Sequence, residues 1–199
     1  MNYIFYDLET TGRNSTWDQI IQVAAILVDK NFNEIERFED RCRLRPGLVP
    51  EPGALLVNKT SIEMLNNVNL SHYELIKKLY YKFKIWSPAI FIGYNTISFD
   101  EEFLRKTFFK LLLEPYTTQF NGNKRADVLG ITRTSKYYYP ECLEVGINEK
   151  GNQIFKLDSL TELNKSIHNA HDAMGDVEAT IEISKILQNK ANIIWNSAL

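Results

Sequence analysis

Asp7 and Glu9 stand one residue apart at the end of the run Tyr3-Ile4-Phe5-Tyr6, whose β-branched and aromatic side chains suit a strand. Side chains i and i+2 of a strand share a face, so both carboxylates project from one side of a sheet. At an effective dielectric near 20, two unit charges roughly 4 Å apart repel by about 4 kcal/mol. Such a pair resists packing into a core and needs solvent, a proton or a cation. A divalent metal is the simplest partner.

At 199 residues, 44% apolar and 12% aromatic, the chain suits one domain with a well-buried core and is too apolar for disorder. Its 23 basic and 25 acidic side chains leave a formal net charge of −2, so no global basic field marks a nucleic-acid binder, although a local basic rim on a neutral body is compatible with one. Cys42 and Cys142 lie far apart with no partner at metal-ligand spacing, which points to two reduced thiols and not to a disulfide framework or a zinc site. The N-terminal apolar run lacks a basic flank and is interrupted at Asp7, unlike a signal peptide, and no segment approaches the roughly 20 apolar residues of a membrane span. A cytoplasmic protein without a membrane partner is expected.

Residues 2–8, 19–29 and 33–44 read as three meandering strands, with Asn31 to Asn33 in the second turn. Pro46, Pro50, Pro52 and Gly53 then break regular structure. Ser71 and Glu74 have capping-box spacing ahead of Leu75, Ile76, Leu79 and Phe83, which recur at helical intervals until Pro88. A buried strand is expected over 89–94. Ser98 and Glu101 offer a second capping box, with Phe99, Phe103, Leu104 and Phe108 on one face and Asp100 in the first turn. A short strand near 125–128, a helix through about Tyr138, a short helix over 157–164 and a final helix over 172–190 complete the reading. This order suits an α/β fold with a mixed five-stranded sheet and helices on both faces.

Asp100, after the fourth strand, and the segment His171-Asp172-Ala173-Met174-Gly175-Asp176 can meet the opening pair at one edge of that sheet. Four carboxylates and a histidine there make a hard-oxygen site that suits magnesium or manganese better than zinc. Two such ions about 3.5–4 Å apart can clamp the attacking and leaving oxygens of a phosphoryl displacement. A histidine, with an ordinary pKa near 6.5, can take the proton from the attacking water. Taken singly, each of these residues has a bland structural explanation; their joint order and context make coincidence improbable.

Asp7-x-Glu9, Asp100 and His171-x4-Asp176 resemble the DEDDh superfamily of 3′→5′ exonucleases, which have a ribonuclease H-like fold. Pro52-Gly53-Ala54, Gly93-Tyr94-Asn95 followed by Phe99-Asp100, Phe155-Lys156-Leu157 and Asn169-Ala170-His171-Asp172-Ala173 further resemble the exonuclease domain of the bacterial exonuclease I family. The resemblance implies that Asp7, Glu9 and Asp176 bind a pair of magnesium ions (Mg2+), replaceable by manganese, that Asp100 completes the second ion's shell, and that His171 is the general base. Glu9 and Thr10 would lie against the terminal nucleotide. Lys156 would hold a substrate phosphate where the family usually has arginine, keeping the charge but losing the bidentate fork. Single-stranded DNA is then the expected substrate, degraded from its 3′ end to nucleoside 5′-monophosphates. RNA ends, or service as a proofreading subunit beside a polymerase, are the alternatives. That family continues into SH3-like and helical domains that lengthen the DNA channel. Here residues 1–199 are expected to form a single exonuclease domain without that support for processivity.

Among other features, His72 is expected in solvent and His168 in a loop, and Lys77, Lys78, Lys82 and Lys84 on a solvated face. Tyr137, Tyr138 and Tyr139 are read as the packed end of a helix before a stacking platform. Asp127 suits a structural hydrogen-bonding role as well as a catalytic one.

Overall fold

The computed structural model describes residues 1–164 and 172–199. The expected meander is present: β1 (Asn2–Thr10), β2 (Ile20–Val28) and β3 (Glu34–Arg41) pair antiparallel. Two short helices, α1 (Pro52–Val57) and α2 (Ile62–Asn66), follow where the prolines suggested only irregular chain. Pro52 sits in the first turn of α1, where its missing N–H would have no intrahelical partner, so it starts a helix there and does not break one. Next come α3 (His72–Trp86), β4 (Ala89–Gly93), a 3-10 turn (Thr96–Ser98), α4 (Asp100–Lys110), β5 (Lys124–Asp127) and α5 (Val128–Tyr138). A small hairpin of β6 (Gly146–Ile147) and β7 (Gln153–Ile154) precedes α6 (Leu157–Leu163), α7 (Ala173–Lys190) and α8 (Asn192–Ala198). The last of these was not anticipated.

The main sheet runs β3-β2-β1-β4-β5, with β4 parallel to both β1 and β5. Strand parity divides the core into two layers. Tyr3, Phe5, Ala24, Ile26, Ile90 and Ile92 face Val177, Ile181 and Leu187 of α7 together with Trp195 of α8. Ile4, Tyr6, Leu8, Val23, Ala25 and Phe91 face Leu75, Leu79 and Phe83 of α3 with Phe103 and Phe108 of α4. Both faces are therefore covered, and every residue of β2 is buried. The edge strand β3 carries the charges of the sequence Glu-Ile-Glu-Arg-Phe-Glu-Asp-Arg, which discourage pairing with a further strand.

The first capping box is present, with Ser71 Oγ accepting from Glu74 N and Glu74 Oε2 accepting from Ser71 N. The second is not. Ser98 lies in the 3-10 turn, α4 begins without a side-chain cap, and Glu101 is drawn away into tertiary bonds described below. His72 is also a correction: it is buried between the chain after β3 and α4, and its Nε2 has no hydrogen-bond partner. Of the α3 lysines, Lys77 lies over the Tyr73 ring, while Lys78 pairs with Asp40 at 2.9 Å and Lys82 with Glu36 at 2.6 Å on β3. Tyr137 and Tyr138 are exposed and stacked edge-on, while Tyr139 packs against the core, so only the last suits the expected packing. Cys42 and Cys142 are free and buried. No helix among the described residues is long and apolar enough to cross a membrane.

Candidate active site

Asp7 and Glu9 share the parity of Tyr3 and Phe5, so they emerge on the α7 face where β1 outruns its parallel neighbour. The β1–β4 pairing ends at Phe5 with Ile92, leaving the last residues of β1 beside a crevice at the carboxyl ends of two parallel strands. Open α/β sheets commonly place ligands in such a crevice. Asp176 enters from the first turn of α7. One carboxylate oxygen from each of Asp7, Glu9 and Asp176 lies within 4.8 Å of the others.

Asp100 reaches the crevice from the opposite layer. With no β4 residue opposite it, the Leu8 N–H instead donates to Asp100 Oδ1 at 3.2 Å. Immediately beside this bond, the Tyr6 hydroxyl donates to Glu101 Oε1 at 2.6 Å. The two bonds join consecutive residues at the start of α4 to the residues on either side of Asp7. Glu101 Oε2 is held in turn by the Thr118 hydroxyl at 2.7 Å and by Arg125 at 2.9 Å. Gly93 lets β4 turn away here, because a Cβ at that position would lie 2.0 Å from Thr96 Cγ2 and 2.8 Å from the Tyr6 carbonyl oxygen.

Crowding shows in the titration of these acids. Burial, then the charges of Asp100, Asp176 and Glu9, raise Asp7 well above the ordinary carboxylate range. Asp100 is raised mainly by burial, against the opposing effect of its backbone hydrogen bonds. Glu9 is pushed up to about 7 by burial and by Asp176 and Asp172, with Arg41 pulling the other way. Arg41 and Gln22, together with Asp172, belong to a network that sequence reasoning missed. Glu9, Gln22 and Arg41 form one row across β1, β2 and β3. Arg41 donates to Gln22 Oε1 at 2.7 Å, and Gln22 Nε2 donates to Asp172 Oδ1 at 3.0 Å, fixing the residue that precedes α7.

A cleft of about 560 Å³ adjoins the acids, lined by Leu8, Glu9, Thr10, Ala54, Val57 and Phe99 among others. Thr10 is buried, and its hydroxyl donates to the Gly12 carbonyl. Lys156 is exposed just before α6, and the preceding residue is tethered to the end of β4 by the Tyr94 hydroxyl, which donates to the Phe155 carbonyl at 2.6 Å. Asp127 is structural: its carboxylate accepts from the backbone N–H groups of Asn95, Ile97 and Leu129. The expected general base His171, like His168, lies outside the described residues.

Comparison with known proteins points the same way. The chain is 35% identical over 195 residues to exodeoxyribonuclease I of Buchnera aphidicola subsp. Schizaphis graminum, covering 96% of this chain and 40% of that protein. Against exodeoxyribonuclease I of Escherichia coli the identity is 31%, covering 94% and 40%. A DNA polymerase III of PolC type from Staphylococcus haemolyticus is 31% identical over 138 residues, 69% of this chain and 9% of that one. The crystal structure of E. coli exonuclease I in complex with a dT13 oligonucleotide superimposes with a TM-score of 0.94 at 30% identity, covering 98% of this chain and 43% of that one. The fold is thus that of exonuclease I, with the expected ribonuclease H-like sheet. The chain spans about two-fifths of the length of these exodeoxyribonuclease I relatives. The family model described as exonuclease matches residues 4–184, a span that takes in Asp7, Glu9, Asp100 and Asp176, and the chain belongs to that family.

Proposed function

We propose that the chain is a magnesium-dependent 3′→5′ exonuclease that shortens single-stranded DNA to nucleoside 5′-monophosphates in the cytoplasm. The observation that carries this reading is the meeting of Asp7, Glu9 and Asp176 within 4.8 Å beside a cleft, in a chain of the exonuclease family. The donor set fits hard divalent cations: it is all oxygen, it is crowded enough to hold protons above their ordinary range, and Arg41 is the cation that acts on Glu9. When bound, a pair of such ions stabilises the attacking and leaving oxygens of an in-line displacement.

Asp7, Glu9 and Asp176 hold those ions, and Asp100, fixed by Leu8 N–H, completes the set. His171 accepts the proton of the attacking water. Thr10 and the apolar wall of Ala54, Val57 and Phe99 hold the terminal nucleotide against the acids, and Lys156 neutralises a phosphate. Names of the exodeoxyribonuclease I relatives favour DNA, and the PolC-type relative supports a second reading, proofreading beside a polymerase.

The test is turnover of single-stranded, 3′-recessed and 5′-blocked DNA, with matched RNA, in magnesium and in chelator. Mononucleotide release from a 5′-blocked single strand, in magnesium only, is expected. Activity that survives chelation or requires a free 5′ end refutes the mechanism, and faster RNA turnover transfers the assignment to an oligoribonuclease. Idle behaviour alone with activity beside a polymerase favours proofreading.

A further inference from the structure

The loop 11–19, between β1 and β2, borders three cavities in succession. Gly12 and Arg13 line the catalytic cleft. Trp17 and Asp18 line a hollow of about 400 Å³ with Arg45, Leu48 and Val49. Asp18 and Arg45 continue into a third cavity, of about 280 Å³, walled by Arg43, Tyr73 and Lys110.

Beyond the cleft, whose wall also carries Glu9 and Glu51, the charged side chains lining this course are basic except for Asp18. Arg13, Arg43, Arg45 and Lys110 have no ion-pair partner among the described residues. Lys110 grips the loop through the carbonyls of Ser15 and Thr16, and Lys106 through their hydroxyls. Asp18, half-buried at the second and third cavities, is engaged within the loop, its oxygens accepting from the Thr11 hydroxyl at 3.1 Å and from Asn14 N at 2.8 Å. Cations gathered without ion-pair partners call for an anion, as the acids of the catalytic site call for a cation. In the middle stands Trp17, 74% exposed, its carbonyl accepting from Arg45 at 3.0 Å.

We propose that this loop is a track for the single strand on the 5′ side of the terminal nucleotide, with a base stacked on Trp17 and phosphates passing Arg13, Arg45 and the Arg43–Lys110 pair. The proposal rests on the nuclease reading. Nucleic acid is favoured over an acidic peptide because the basic course starts at the wall of the catalytic cleft, and because an exposed indole among arginines offers stacking together with phosphate contacts.

Trp17 also supplies the probe. The chain's other tryptophans, Trp86 and Trp195, are 6% and 0% exposed, so a ligand on the track alters the emission of Trp17. Titration with a twelve-residue oligothymidylate in chelator is expected to quench that emission, while inorganic phosphate and polyglutamate leave it unchanged. Trp17→Ala should lose the quench and should shrink the KM advantage of the twelve-residue substrate over a trinucleotide by about five-fold or more, the low end of base–aromatic stacking. Arg45→Gln should reduce the slope of log affinity against log salt by about 0.7, one phosphate contact on a single strand. Binding of oligothymidylate without quenching, or an unchanged KM advantage in Trp17→Ala, overturns the track. Equal quenching by polyglutamate reassigns the surface to an acidic peptide. Because the emission is read in chelator, failure of the nuclease reading appears separately, as absent turnover in the unmodified chain.

Discussion

Replacing Glu9 by glutamine should stabilise the metal-free protein at alkaline pH and leave it unchanged under acid conditions. Glu9 titrates near 7 instead of 4.5 because burial, Asp176 and Asp172 together outweigh Arg41. Between those two values the folded state holds a proton that the unfolded chain has released, so the free energy of unfolding falls as pH rises through that window. Below it both states are protonated and no penalty exists; above it both are ionised and the penalty is complete. Moving the carboxyl from 4.5 to about 7 corresponds to about 3 kcal/mol. For a chain of this size that is about 6–12 °C in Tm. Asp7 and Asp100 are displaced in the same direction, so the native protein should lose more than Glu9 alone accounts for.

The assay is thermal unfolding in chelator from pH 4.5 to 8.5, native protein against Glu9→Gln, repeated in excess magnesium. The difference in Tm should grow from near zero at the acid end to its full size at pH 8, and magnesium should restore the native protein. Because the substituted residue belongs to the proposed catalytic set, the same change should remove turnover while raising stability, a trade expected where function requires unfavourable charge. A Glu9→Gln protein no more stable than its parent at pH 8 in chelator would show that the carboxylates are not crowded as described.

Asp7→Asn and Asp176→Asn should each lose nearly all turnover with an unchanged circular dichroism spectrum and a Tm in chelator at or above the parent's; turnover by Asp176→Asn at the parental rate refutes its assignment. Tyr6→Phe deletes the buried donor to Glu101 and should lower urea stability by about 1–2 kcal/mol. Gly93→Ala forces a Cβ against Thr96 and the Tyr6 carbonyl and should lower it by about 1–3 kcal/mol; a neutral outcome would mean that this approach of β4 to β1 is loose. Lys156→Arg restores a fork that can grip phosphate through two bonds and should lower KM for an oligonucleotide, whereas an unchanged KM removes Lys156 from the substrate contacts.

Local spacing carried some of these assignments and not others, for a physical reason. Strand parity is a two-residue property, so Asp7 and Glu9 could be placed on one face from sequence; the stripe of Ala173, Val177 and Ile181 marks the inward side of α7, but which face of the sheet it covers is set by tertiary packing. The errors fall where a tertiary partner competes with a local one. Ser98 and Glu101 have the spacing of a capping box, yet Tyr6, Thr118 and Arg125 claim the glutamate, and no local pattern announces residues so distant in the chain. His72 looked exposed because Ser71 caps α3 beside it; its burial comes from α4 and the chain after β3.

Arg41 is an intermediate case. Counting back along β2 and β3 from Val28 and Glu34, at their turn, sets Asp40 and not Arg41 opposite Gln22, while the β1–β2 register sets Gln22 beside Glu9. That count goes astray because the register shifts between Leu27 and Val28, and a further irregularity falls between Glu9 and Thr10. A single slipped residue moves Arg41 to the opposite face, under α3, where it could not act on the acids. The bulges are therefore what decide whether β3 supplies the site with a cation. Placing the site's charges from sequence requires locating those bulges first, and composition and periodicity carry no mark of them.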